Sequence, residues 1–245
     1  MRYAIQWLRS LLFTTQAYSM MVVFALAFLP WALLSSHGAH GAVKAWTRWV
    51  RWTAAWMIGL KSEVRGEVPD GEVMIASKHQ SFFDIILLCS VLPRPKFIMK
   101  KQLVWAPIVG FYAKRIGCVP VDRGKRGAAI KDMVARVSSG AQEPGQLIIF
   151  PQGTRVAPGV KREYKVGVAV LYHELGTPVY PVACNVGVFW PRHAVYRKPG
   201  LAVIEFLPEV PPGKPLREFL SEVEQVVETR SDALMAEAGF PAVAG

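Results

Sequence analysis

The 34 residues from Ser10 to Val43 contain no Lys, Arg, Asp or Glu. That absence excludes an ordinary solvated segment, because a soluble helix carries a charged outer face. Cysteine is also sparse: Cys89, Cys118 and Cys184 are odd in number and far apart. They make neither a disulfide framework nor a metal knuckle and read as free thiols in a reduced compartment. Acidic residues are few, 18 against 29 Lys and Arg, which leaves a formal net charge of +11. So basic and apolar a chain suits a membrane carrying anionic lipid. Nucleic acid is the other usual partner of such charge, but zinc-ligand spacing and an RNA-binding aromatic signature are both missing, so no nucleic-acid partner is expected.

The uncharged run includes Leu11 to Leu34, and a membrane-crossing helix needs about 20 apolar residues. It is too long and too poorly flanked for a cleaved signal peptide. Ser35-Ser36-His37-Gly38 with Gly41 reads as a helix end and turn. From Val43 to Leu60 the pattern becomes amphipathic, with Trp49, Trp52 and Trp56 on one stripe and Lys44, Arg48 and Arg51 on a neighbouring one. Tryptophans at headgroup depth, with cations meeting lipid phosphates, are what an interfacial helix presents. A Trp-rich core face of a soluble helix would give the same spacing. The turn lacks Lys and Arg while both outer ends are basic, so the positive-inside rule puts both ends, and the domain that follows, on the cytoplasmic side of the cell membrane. One span followed by an interfacial helix and a hairpin entering from one side both satisfy this pattern. Residues 1–60 are thus expected to be an N-terminal membrane-embedded helix pair that anchors the chain, and 61–245 the αβ catalytic domain.

After Lys61, short β-branched runs alternate with helical patterns. Val73 to Ala76, Phe97 to Met99, Cys118 to Val121, Leu147 to Phe150, Val179 to Ala183 and Leu201 to Phe206 read as strands. Phe82 to Leu92, Pro107 to Arg115, Ala128 to Ser138, Val166 to Leu175 and Leu216 to Glu237 read as helices. This alternation predicts an α/β fold, a mixed sheet flanked by helices.

Chemistry concentrates at the predicted strand ends. In Ser77-Lys78-His79-Gln80-Ser81-Phe82-Phe83-Asp84, Ser81 is placed to cap a helix and His79 lies in the turn before it. Asp84, one turn into the helix, tilts back toward that turn. Its carboxylate is placed to take the N–H of one His79 nitrogen, leaving the other to remove a proton from a hydroxyl. Equally, Ser81 and Asp84 spell a capping box, and His79 is then an ordinary turn residue. Phe150-Pro151-Gln152-Gly153-Thr154-Arg155 supplies a Gly turn, a hydroxyl and a guanidinium, a set suited to phosphate. Arg123, and the pair Lys100 and Lys101, add cations just past two other strands, where α/β sheets hold ligands. His37, His40, His173 and His193 have no partner at useful spacing.

Four motifs occur in order: H-x-x-x-x-D at His79 to Asp84, G-x-x-x-V-D-R ending at Arg123, F-P-x-G-T-R at Phe150 to Arg155, and Val179-Tyr180-Pro181-Val182. Over roughly Lys61 to Phe206 this resembles the glycerolipid acyltransferases, most closely bacterial 1-acyl-glycerol-3-phosphate acyltransferases. The resemblance implies an αβ domain on a membrane helix pair, with acyl-CoA or acyl-carrier protein as co-substrate and no cofactor or metal. It implies His79 as base and Asp84 as its orienter, with Lys100, Arg123, Gln152, Gly153, Thr154 and Arg155 at the substrate's phosphate. The expected reaction moves an acyl chain to the sn-2 hydroxyl of lysophosphatidic acid, giving phosphatidic acid among membrane lipids. The same chemistry on a lyso-ornithine lipid is the alternative, and a non-catalytic membrane adaptor is a rival of another class. Two positions depart from the family pattern: Gln152 and Gln102 stand where it usually has Glu. Those changes bear on the acceptor more than on the chemistry.

Overall fold

The computed structural model describes residues 1–122, 135 and 144–241. Helix α1 (Arg2–Leu34) and helix α2 (Ser36–Met57) form an antiparallel hairpin with Ser35 alone between them. Then follow β1 (Leu60–Arg65), β2 (Met74–Ser77), α3 (Phe82–Val91), β3 (Pro95–Lys100), a 3-10 turn (Lys101–Trp105), α4 (Pro107–Arg115) and β4 (Val119–Val121). After the undescribed stretch come β5 (Gln146–Ile149), α5 (Gly167–Leu175), β6 (Val179–Cys184), β7 (Gly200–Phe206) and α6 (Leu216–Glu237). The expected helix at Ala128 to Ser138 lies outside the described residues, except for position 135.

Among the described residues the strands make one seven-stranded sheet in the order β1-β7-β6-β2-β5-β3-β4. All neighbours run parallel except β6 and β7, so the sheet is mixed, as expected. The four residues of β2 and the four of β5 are all buried, as strands covered on both faces must be. Strand β2 is central, with β5 on one side and β6 on the other, and Ile75, Ile148 and Phe97 share a register level across β2, β5 and β3. Chain direction therefore brings the carboxyl ends of β2, β3 and β5 to one edge. There the chain leaves β2 toward β3 on one side and leaves the neighbouring β5 back across β2 to β6, and open α/β sheets bind ligands at such a crevice.

Helix α2 begins earlier than expected. Ser35 is extended and its Oγ accepts the His37 N–H at 3.2 Å, so one residue both turns the chain and caps the helix. Gly38 and Gly41 fall inside α2 rather than in the turn. At Gly38 a Cβ would meet the Trp31 carbonyl carbon at 2.5 Å and the Ala32 nitrogen at 2.6 Å, so the missing side chain lets α1 close against α2.

The hairpin is not a detached anchor. Phe13, Ala17, Val50, Ala54 and Ile58 belong to the same buried cluster as Ile75, Phe83, Leu87 and Ile204. Along α1, Gln6 donates to the Ile58 and Arg197 carbonyls at 2.9 Å, and Phe13 packs edge-on to Trp190. Farther on, Tyr112 donates to the Ala25 carbonyl at 2.6 Å, and Arg115 reaches the Leu33 carbonyl at 3.4 Å. A helix of this length is about 50 Å long, and these contacts tie most of it to the αβ body. Arg51 corrects one expectation: it donates to Ser62 Oγ and Ser90 Oγ, fixing α2 to the domain instead of facing lipid. Its long side chain finds two hydroxyls within the fold, while Arg48 stays exposed.

Gly38→Ala is expected to push the two helices apart and to cost about 1–3 kcal/mol. Thermal unfolding in detergent measures it, and an unchanged midpoint would contradict the close approach.

Candidate active site

The turn after β2 carries His79. Ser81 caps α3 by accepting the Phe83 N–H at 3.1 Å, and the capping box is complete. Its acid is Asp84, whose Oδ2 accepts the N–H groups of Gln80 at 2.9 Å and Ser81 at 2.8 Å. The other oxygen, Oδ1, lies 3.0 Å from His79 Nδ1. Both contacts expected of Asp84 are made: one carboxylate caps the helix and holds the imidazole. Asp84 is 0% exposed, so its charge rests on these three donors, as a buried charge requires. With Nδ1–H given to Asp84, His79 Nε2 is left as an acceptor and has no partner among the described residues.

The loop after β5 is built onto this turn. Phe150 stacks on the His79 ring, centroids 3.8 Å apart, and Phe97 extends the stack at 6.3 Å. Val156 donates its N–H to the His79 carbonyl at 2.8 Å, so imidazole and loop are positioned by each other. Gly153 adopts φ +69, a left-handed value open to Gly, and donates to the Phe150 carbonyl at 2.8 Å to close a tight turn.

The expected substrate residues divide. Lys100 ends β3 and is exposed, while Thr154 and Arg155 are half-buried. Among the described residues these three side chains have no hydrogen-bond or ion-pair partner, which leaves their donors for an anion. Arg123 lies outside the described residues. Gln152 is turned inward: it is 1% exposed, and Nε2 donates to the Arg162 carbonyl at 3.2 Å and Glu228 Oε1 at 3.4 Å. The motif had placed it with its neighbours at the substrate, but the tight turn at Gly153 sends the two sides of the loop to different places. One cation was missed. The end of Lys165 packs over Gly153, where a Cβ would sit 2.8 Å from Nζ, and its backbone N–H donates to the Pro151 carbonyl. Lys165 lies ten residues past the motif's end, and no spacing rule marks it.

No cysteine competes as nucleophile. Cys89, Cys118 and Cys184 are buried and free. Burial pushes Cys118 up to about 12 and drives Cys89 and Cys184 higher still, so thiolate, the reactive form, is withheld. Among the described residues no group of three or more His, Cys, Asp or Glu could hold a metal. A cavity of about 710 Å³ opens elsewhere, lined by the hairpin turn, Arg94, Lys96, Lys114 and Arg115, and neither His79 nor the Arg155 loop borders it.

A family described as acyltransferase matches residues 61–185, half of the chain and all of the site described above. The chain belongs to the acyltransferase family. It is 26% identical over 181 residues to a 1-acyl-sn-glycerol-3-phosphate acyltransferase of Pseudomonas aeruginosa, covering 73% of this chain and 70% of that protein. It is 28% identical to the mouse 1-acyl-sn-glycerol-3-phosphate acyltransferase alpha, over 64% of this chain and 57% of the relative. A lysophospholipid acyltransferase of Arabidopsis thaliana matches at 29%, over 53% of this chain but 33% of its own length. Among solved structures, the 1-acyl-sn-glycerophosphate acyltransferase PlsC of Thermotoga maritima superposes with a TM-score of 0.80 at 21% identity. That alignment covers 96% of this chain and 100% of the other, and it shows a shared fold that includes the helical hairpin's share of the chain.

For this acyltransferase, His79→Ala should lower kcat by about 10²–10⁴-fold, the usual contribution of a general base. Asp84→Asn should lower it comparably with little loss of stability. An amide oxygen still caps α3, but an amide N–H facing Nδ1 forces the proton onto Nε2. Steady-state kinetics with unfolding curves for both variants check this, and an active Asp84→Asn enzyme would refute the assignment.

Proposed function

We propose that this acyltransferase moves an acyl chain from a thioester, acyl-CoA or acyl-carrier protein, to the sn-2 hydroxyl of 1-acyl-sn-glycerol 3-phosphate, producing phosphatidic acid. The observation that carries this reading is the placement of His79 and the Gly153 to Arg155 turn as neighbours at the carboxyl edge of the sheet. A base for the hydroxyl and donors for the phosphate then reach the same molecule. The printed activities of the Pseudomonas and mouse relatives agree with it.

His79 Nε2 takes the hydroxyl proton while Asp84 stabilises the imidazolium that forms. The alkoxide attacks the thioester carbonyl, and N–H donors around the β5 loop hold the resulting oxyanion. Collapse of the tetrahedral intermediate breaks the C–S bond, and the sulfur leaves with the proton that His79 had taken. The ester forms without an acyl-enzyme, and no cofactor or metal enters a step. Lys100, Thr154, Arg155 and, by our assignment, Arg123 and Lys165 bind the phosphate; Gln152 serves the loop's interior.

The hairpin supplies the membrane contact. It includes the one helix among the described residues that is long and apolar enough to cross a membrane. Its contacts with the αβ body, from Gln6 to Leu33, favour a helix lying against the domain over a bare span. Leu8, Leu12, Val23, Leu26 and Leu34 of α1, with Trp52 and Trp56 of α2, are exposed. In our reading this face enters one leaflet, with the tryptophans at headgroup depth. Arg9 donates to the carbonyls of Met57 and Trp56, so both basic outer ends of the hairpin lie together. That suits the cytoplasmic side.

Two outcomes test these readings. Arg155→Ala should raise KM for the phosphate-bearing acceptor about tenfold or more, the value of a charged hydrogen bond, and leave turnover of a phosphate-free lysolipid unchanged. A panel of lysolipids assayed with one labelled donor measures it, and faster turnover of lyso-ornithine lipid than of lysophosphatidic acid would favour the alternative acceptor. Leu8→Glu with Leu12→Glu should cut flotation with anionic vesicles while leaving the unfolding midpoint in place; undiminished flotation would move the membrane contact elsewhere.

A further inference from the structure

The site leans on a residue far from it in sequence. Lys78, beside His79, is 3% exposed, and its Nζ lies 2.5 Å from Glu228 Oε2 on α6. The other oxygen of Glu228 accepts the Tyr164 hydroxyl at 3.0 Å and Gln152 Nε2 at 3.4 Å. One carboxylate thus joins the end of β2, the inner side of the anion loop, and the segment that returns the chain past Gly153. Tyr164 precedes Lys165, which covers that glycine. Burial, with the Glu228 charge beside it, pushes the Tyr164 phenol far up, so it remains a donor. Gln152 is held by its donor end alone: its Oε1 is buried without a partner among the described residues.

From this geometry we propose that Glu228 is the positioning residue of the active site, setting the His79 turn and the Arg155 loop at a fixed separation, and that Gln152 is neutral because Glu228 already supplies the negative charge beside it. The proposal rests on the acyl-transfer reading only for its kinetic consequences. A Glu at 152 would stand 1% exposed within hydrogen-bonding distance of the Glu228 carboxylate, whose other oxygen already holds the Lys78 ammonium. Such a pair cannot both stay ionised without cost. The amide keeps the hydrogen bond and removes the repulsion.

Four full-length variants, purified in detergent, test this. Glu228→Gln leaves the Lys78 ammonium unpaired and should lower kcat/KM for 1-acyl-sn-glycerol 3-phosphate by about tenfold to a hundredfold, the effect of small misplacement. Gln152→Glu alone should also lose activity. Gln152→Glu combined with Glu228→Gln returns one carboxylate to the cluster and should recover activity to within about threefold of wild type, a non-additive rescue. Lys78→Met with Glu228→Met separates positioning from mere stability. An apolar pair often replaces a buried ion pair without loss of stability, so its unfolding midpoint should hold while kcat falls. A readout independent of acyl transfer is the rate at which diethyl pyrocarbonate modifies His79, followed by peptide mass spectrometry. Glu228→Gln should raise that rate and leave exposed His173 and His193 unchanged. A Lys78→Met/Glu228→Met enzyme with wild-type kcat and KM, or a relocated carboxylate that rescues nothing, overturns the proposal. If wild type transfers no acyl chain to this acceptor, the functional reading fails, and the His79 modification rates alone decide for or against Glu228.

Discussion

Everything at this site depends on the carboxylate of Asp84 being buried and fully bonded. A charge without access to water must be matched by donors, and here the matching groups are the Gln80 and Ser81 N–H groups and the His79 ring. One backbone donor belongs to Ser81, the cap residue of α3, and the other to Gln80 in the turn before it, and both are buried and need a partner in any case. The turn and cap that start α3 therefore supply two of the three bonds that hold the charge, and the third orients the His79 ring. Helix initiation and the placement of His79 cannot be separated in this fold, which is why the imidazole sits in a turn with little freedom. Phe150 against one face of the imidazole and Val156 on its carbonyl then transmit that fixed position to the loop carrying Arg155.

A second constraint comes from the hairpin. Its inner side shares the buried cluster of the αβ sheet while its outer side is apolar and exposed. In the reading proposed above, the outer face meets lipid while the inner face meets the protein core. The acceptor and the product of the proposed reaction both live in that phase. A catalytic body held flat against the surface need not extract a lysolipid into water, because the lipid's head can reach the sheet edge while its chain remains among other chains.

Much of this was legible from residue patterns. The β-branched runs located six strands to within a residue or two, since buried strands advertise themselves by composition. The run Ser81 to Asp84 located the cap, and two of the ordered motifs located the turns after β2 and β5 that the fold brings together. What stayed hidden has physical causes. Strand β1 (Leu60–Arg65) alternates weakly and pairs only with β7, at the sheet's edge, so the reading that began a new domain at Lys61 passed over it. The turn at Ser35 was obscured by glycines whose purpose is close helix packing, a role indistinguishable from turn chemistry in one dimension. Arg51 was drawn to lipid because a helical wheel records spacing but not which hydroxyls a neighbouring strand and helix will offer. Lys165 and Glu228 reach the site through tertiary structure alone.

Gln152 shows how misleading a motif position is when its side chain is assumed to share the motif's purpose. As a departure inside an anion-binding signature, it casts doubt on the acceptor. In the fold it lies on the far side of a tight turn, bonded to Arg162 and Glu228, so its amide answers to a charge on α6 and not to a substrate. The residues proposed to meet phosphate, Lys100, Thr154 and Arg155, match the family pattern without change. Acceptor identity accordingly has to be sought in how those donors and Lys165 converge, and an acidic side chain at 152 is not needed for a phosphate-bearing lysolipid. The same logic limits substitution there: restoring the family's Glu at 152 while Glu228 remains would add a buried negative charge directly behind the anion loop. It would weaken the field that the cations in front of the loop provide.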